Sequence, residues 1–133
     1  MTGLLDTSVI LRYLVDAPPE LATRATHILD QGSDLWITDS VLAETVYVLM
    51  SFYRAPRAEV VDRAIELVRK RNVSVVGLPK FLVIQALLMC RPSGRISLPD
   101  ALTWAWAHAT GHRLVCTFDR QFPAQGIDVR GNL

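Results

Sequence analysis

At 133 residues, with half of them apolar and a fifth charged, the chain fits one globular domain, residues 1–133, with a substantial core. No apolar run approaches the ~20 residues of a membrane span, and no basic segment leads into a cleavable apolar stretch, so a cytoplasmic, membrane-free protein is expected. The formal charge of +1 hides an uneven distribution: residues 1–66 carry five Arg and ten acids, residues 67–133 nine Arg or Lys and three acids. That division suits an acidic pocket beside a basic rim, the combination a phosphate-rich substrate needs.

In chain order, Gly3-Leu4-Leu5 reads as a short buried strand, and Asp6-Thr7-Ser8 offers N-cap chemistry for a helix from Val9 to Val15. Asp16-Ala17-Pro18-Pro19 breaks it. A second helix from Glu20 to Gln31 sets Leu21, Ala25, Ile28 and Leu29 on one face and stops at Gly32. Leu35-Trp36-Ile37 is a strand, and Thr38-Asp39-Ser40 caps a long apolar helix reaching about Tyr53. After Pro56 comes an amphipathic helix whose inner stripe is Val61, Ala64, Ile65 and Val68, with Glu59–Arg63 and Glu66–Lys70 expected as outer i,i+4 pairs. Val73 to Val76 is the third strand, and Pro79 opens a helix through Met89. Residues 91–95 form a loop, Pro99 introduces a helix from Asp100 to Ala109 closed by Gly111, and Arg113–Thr117 is a fourth strand, with a short fifth at Ile127–Val129. Short apolar strands alternating with helices predict an α/β sandwich, a parallel sheet covered by helices on both faces.

Within that pattern Asp6, Glu44, Asp100 and Asp119 interrupt or end apolar runs. A carboxylate buried without a partner is costly, and pairing, protonation or a metal relieves it. In open α/β sheets the working crevice lies beyond the carboxyl ends of the strands. Asp6 and Asp119 fall at strand ends, Asp100 in the first turn of a helix and Glu44 about one turn into another, so all four can reach one edge of the sheet. Each also has a local explanation: a helix cap, a dipole-favoured acid, a turn residue. Glu44 resists one, since no base lies within reach along its helix. His27, His108 and His112 have no neighbouring ligands at metal spacing and read as structural or solvent-facing. A site of oxygens alone suits Mg²⁺, with Mn²⁺ as substitute. Cys90 and Cys116 read as reduced core thiols. A receiver domain is excluded by Thr7-Ser8 after Asp6, a dehalogenase-type phosphatase by Ser8, and nucleotide-binding folds by the lack of a glycine-rich loop.

With these residues placed, the chain resembles a PIN domain, and more narrowly a small VapC-type toxin ribonuclease of a toxin–antitoxin system. The resemblance is carried by Leu4-Leu5-Asp6-Thr7-Ser8-Val9-Ile10, Thr38-Asp39-Ser40-Val41-Leu42-Ala43-Glu44, Leu98-Pro99-Asp100-Ala101-Leu102 and Leu114 to Phe122, followed by Gly126 and Val129. It implies a three-layer α/β/α sandwich of strand order 3-2-1-4-5, and an endoribonuclease whose catalytic and metal-binding quartet is Asp6, Glu44, Asp100 and Asp119. Thr7 and Thr117 match the supporting hydroxyls. The resemblance further implies a homodimer and a cognate antitoxin that inserts a segment into the cleft. Arg12, Arg95 and Arg120 are candidate contacts to an RNA substrate, each as easily a solvated arginine. Leu11, Leu14, Val46, Leu49 and Met50 are candidate antitoxin contacts, with core packing the stronger expectation for most. Two other readings stay open: an RNA-maturation nuclease of the same fold outside any toxin–antitoxin pair, and a non-catalytic partner-binding module.

Overall fold

The computed structural model describes residues 2–132. The elements are β1 (Thr2–Leu4), α1 (Thr7–Val15), α2 (Pro19–Gln31), β2 (Asp34–Ile37), α3 (Asp39–Ser51) and α4 (Arg57–Arg69). They continue with β3 (Val73–Val75), α5 (Lys80–Met89), α6 (Leu98–Thr110), β4 (Leu114–Cys116) and β5 (Asp128–Arg130). All the elements expected from sequence form, with ends moved by one to three residues. Most shifts trace to capping. Asp6 caps α1 two residues earlier than expected, by accepting from the Ser8 amide, and Ser97 caps α6 by accepting from the Asp100 amide, so α6 starts at Leu98.

Every ladder is parallel: helices carry the chain back between β1, β2 and β3, and the irregular segment 117–127 does so between β4 and β5. β2 lies between β1 and β3 in a three-stranded sheet, and β4 pairs with β5 in a second ladder. The neighbours within each group match the expected order 3-2-1-4-5, but β1 and β4 are not hydrogen-bonded, so one five-stranded sheet becomes two. Both strands are only three residues long, and the C-terminal ladder takes its anchorage from α6 instead. There the Trp104 Nε1–H donates to the Gln125 carbonyl at 2.8 Å, and the Arg113 guanidinium donates to the Gly126 carbonyl at 2.9 Å. The His108 ring shares the Gln125 carbonyl at 2.9 Å, which gives that histidine a structural duty. In consequence β1 is not the buried strand expected: Leu4 is 68 % exposed.

The core joins α3, α4, α5 and α6 to β2 and β3 through Leu42, Val46, Val61, Val68, Val83 and Leu87, all essentially sealed from water. Each such side chain contributes roughly 1.5–3 kcal/mol by leaving water. Leu14, Val46 and Leu49 are buried in this core, and Leu11 and Met50 are half-buried against it. The expected ion pairs along α4 give way to bonds between elements. Arg63 donates to the Leu14 carbonyl at 2.7 Å, satisfying the end of α1, and Lys70 bridges to Asp30 at 3.6 Å. Cys90 is buried as expected, but Cys116, at the end of β4, is exposed. No helix among the described residues is long and apolar enough to cross a membrane.

Candidate active site

Asp6 follows the buried Leu5 and caps α1. Its Oδ2 accepts from the Ser8 amide at 3.1 Å and from the Ser8 hydroxyl at 2.6 Å, and these bonds hold its carboxyl below the usual range. Thr7, one residue on, is buried and turns its hydroxyl to Glu44, donating to Oε2 at 3.2 Å. That bond ties the start of α1 to the second turn of α3 across 37 residues of sequence. Thr38 sets where α3 begins, by accepting from the Val41 amide at 3.2 Å, and so fixes the position of Glu44.

Asp100 sits in the first turn of α6, half-buried, where helix-dipole stabilisation is available. Asp119 meets it from the turn after β4, close enough for the two carboxyls to hydrogen-bond. Burial first, then the charge and hydrogen bond of Asp119, raise the Asp100 pKa, with the Ser97 hydrogen bond opposing them. Asp119 is itself oriented by its neighbours: Thr117 Oγ1 accepts from the Asp119 amide at 3.0 Å, and Asp119 Oδ1 accepts from the Gln121 amide at 2.9 Å. Of the two threonine hydroxyls, Thr7 thus bonds a side chain, Glu44, and Thr117 a backbone amide, that of Asp119.

The expectation that all four acids lie buried among apolar residues does not hold: Asp6, Glu44 and Asp119 are exposed, and only Asp100 is partly withdrawn from water. Alternation of apolar and charged residues at a strand end or on a helix does not by itself say which side faces solvent. The structure brings together Asp100 with Asp119, and Glu44 with Thr7. Among the described residues, no three His, Cys, Asp or Glu side chains are grouped closely enough to hold one ion. The donor chemistry nevertheless fits a hard divalent cation. All four groups are carboxylates, and none is ion-paired to Lys or Arg among the described residues.

A groove of about 390 Å³ connects two of these pieces. It runs from Glu44 and Tyr47 on α3 to Ser97, Leu98 and Pro99, the residues just before Asp100. Arg57 lines it, held by a bond from Nη1 to the Cys90 carbonyl at 3.3 Å. Nothing in the sequence singles Arg57 out, since it stands in the first turn of α4, far from the acids in number. Of the expected basic contacts, Arg120 is exposed beside Asp119, and Arg95 is exposed on the loop before α6. Arg12 lies elsewhere, in a separate groove between α1 and α2.

With this geometry in place, comparison with protein families matches residues 3–127 to the PIN domain. The chain belongs to the PIN domain family, whose members are in general nucleases and typically use divalent metals. Neither a curated protein nor a solved structure matches it.

Proposed function

We propose that this chain is a metal-dependent endoribonuclease, the toxin of a type II toxin–antitoxin pair, hydrolysing RNA phosphodiester bonds. The observation that carries the reading is the meeting of Asp100 and Asp119, where the Asp119 charge helps raise the Asp100 proton affinity and neither has a cationic side chain as partner among the described residues. Such a pair favours a proton or a divalent ion between its members. Mg²⁺, or Mn²⁺ in its place, would be held by Asp100 and Asp119, with Asp6 and Glu44 completing the shell. When bound, the ion supplies neutralisation of the carboxylates and of charge developing on the phosphodiester.

The remaining work belongs to the chain. Thr7 keeps the Glu44 carboxylate turned toward the start of α1, and Thr117 and Gln121 fix the turn that carries Asp119. Arg120 and Arg95, flanking Asp119 and Asp100 in sequence, are placed to engage phosphate oxygens of the substrate. The α3 groove that ends beside Asp100 is the place we assign to a cognate antitoxin segment, with Arg57 inside it. Exposed Tyr47, Phe52, Phe81 and Leu88 on or beside the α3 and α5 surfaces supply apolar area for a homodimer.

The test is direct. Purified protein with Mg²⁺ or Mn²⁺ should cut RNA, and Asp100→Asn should lose at least about a hundredfold in rate while keeping its circular dichroism spectrum. Retained cleavage by that variant would refute the assignment. Growth arrest on expression, relieved by co-expression of a neighbouring antitoxin gene, separates a toxin from a maturation nuclease. A non-catalytic module is favoured by one observation, the absence of a three-acid group among the described residues. It predicts no cleavage with either metal, and a melting temperature indifferent to Mg²⁺ and Mn²⁺.

A further inference from the structure

Between α1 and α2 lies a second groove, of about 300 Å³, that none of the four acids enters. That is the lower end of the roughly 300–1,000 Å³ typical of ligand pockets. Ser8, Val9 and Arg12 line one wall and Leu21, Arg24 and Ile28 the other. The two stripes follow from helical spacing: Ser8 and Arg12 are one turn apart on α1, and Leu21, Arg24 and Ile28 share a face of α2. The expected packing of that α2 face is thus incomplete. Ala25 and Leu29 are buried, whereas Leu21 is 39 % exposed.

Two guanidinium groups over an apolar floor, in the acidic half of the chain, would be expected to find carboxylates. They do not. Arg24 has no hydrogen-bond or ion-pair partner among the described residues, although Glu20 stands one turn before it. Arg12 makes only a long hydrogen bond, 3.4 Å, to the Ala17 carbonyl. The groove also has a direction. Ser8 stands at one end, and its hydroxyl donates to Asp6 at 2.6 Å, so the groove begins one hydrogen bond from a candidate catalytic acid.

We propose that this groove is a subsite for single-stranded RNA, holding one nucleotide beyond the cleavage site. The phosphate lies on Arg12 and Arg24, and the base rests against Leu21 and Ile28. The inference rests on the ribonuclease reading and adds to it a pair of strand-positioning arginines, one of them, Arg24, without any signal in the sequence. Apolar surface takes a base face of any identity, and paired guanidinium groups neutralise backbone charge, so the subsite holds the strand without reading its sequence. Its size suits one base and its phosphate.

The experiment uses the full chain carrying Asp100→Asn, so that RNA is bound and not cut, and a fluorescein-labelled random-sequence 12-nucleotide RNA. Anisotropy titrations between 50 and 200 mM salt compare this parent with the same chain carrying Arg24→Gln, and with both Arg12→Gln and Arg24→Gln. The double variant should bind about tenfold more weakly, and its salt slope should fall by roughly 0.7 for each phosphate left without its arginine. Arg24→Gln alone, an exposed change that spares the fold, should show part of the effect. Unchanged affinity and slope overturn the proposal, as does a parent that fails to bind RNA. Loss of poly-glutamate binding with RNA affinity intact assigns the groove to an acidic protein and also overturns it. The two readings fail separately. RNA cleavage by the unsubstituted chain with arginine-independent binding sinks the groove alone. Arginine-dependent binding with no cleavage sinks the ribonuclease alone.

Discussion

The fold raises the proton affinity of Asp100, and the sign of that change makes a prediction. Its pKa is raised in the folded state, so the native protein binds that proton more tightly than the unfolded chain. Stability from this group is therefore full below the ordinary carboxylate value of 3.8 and declines as pH rises from there through the raised value. Asp100→Asn removes the charge that must be desolvated, and should raise Tm at pH 7 by about 1–3 °C, the gain shrinking on acidification into the carboxylate range. Asp62, bonded to Arg91 at 2.8 and 3.0 Å, has the opposite sign: its lowered pKa gives stability that is present above 3.8 and lost as pH falls. A Tm at pH 7 that falls in Asp100→Asn would contradict the first assignment. The two thiols offer a second test at this scale. Cys90 is buried, its Sγ donates to the Ala86 carbonyl at 3.3 Å, and burial pushes its pKa up to about 11, whereas Cys116 is exposed. Iodoacetamide at pH 8 should label one thiol in the native protein, Cys116, and two after denaturation. Rapid native labelling of Cys90 would show that its surroundings open.

Among the elements, α3 and α6 matter most, because they carry Glu44 and Asp100. They are tied to each other by a polar bond: the Trp106 Nε1–H donates to Asp39 Oδ2 at 2.8 Å, joining α6 to the first turn of α3. The indole so held lies against Gly77, in the turn between β3 and α5. Gly77 has a φ of +73°, and a Cβ there would collide with the Trp106 ring. The ring cannot swing away without giving up Asp39. Gly77→Ala combines left-handed backbone strain with overpacking and should cost about 2–4 kcal/mol in urea unfolding. Adding Trp106→Phe shortens the ring, so the double variant should lose less than the sum of the two single losses. Simple additivity would mean that the alanine is accommodated elsewhere.

Across the whole molecule, the division of the strands into two ladders predicts unequal stability. β2 is paired on both sides and buries its own Leu35 and Ile37, whereas β4 and β5 are paired only with one another and held through Gln125 and Gly126. Local opening should therefore begin in the C-terminal ladder. Native-state hydrogen exchange should show amides of residues 114–130 opening well below the global unfolding free energy, while those of β2 and α4 approach it. Equal protection of the two groups would show that the ladders unfold as one. Mg²⁺ bound at Asp100 and Asp119 should slow exchange around Asp119, since a ligand of the native form alone stabilises what it touches.

The α/β class, the parallel strand direction and the boundaries of most helices were legible in the sequence, because they depend on local chemistry. Thr38 and Ser97 cap helices, Gly111 ends one with a φ of +76°, and alternating apolar segments of strand and helix length set the layers. The four acids were legible as positions for the same reason, each standing at a strand end or near the start of a helix. Their burial was not, and the structure leaves three of them exposed. Nor did local chemistry reveal that Asp100 meets Asp119, that Thr7 holds Glu44, or that Arg12 and Arg24 share a groove. Each of these depends on how separate helices pack, which no spacing along the chain records. The break between β1 and β4 was likewise set by tertiary structure: Trp104 and His108 draw the C-terminal ladder to α6 through hydrogen bonds to the Gln125 carbonyl. Local sequence determines what each segment prefers, and packing decides which charges meet.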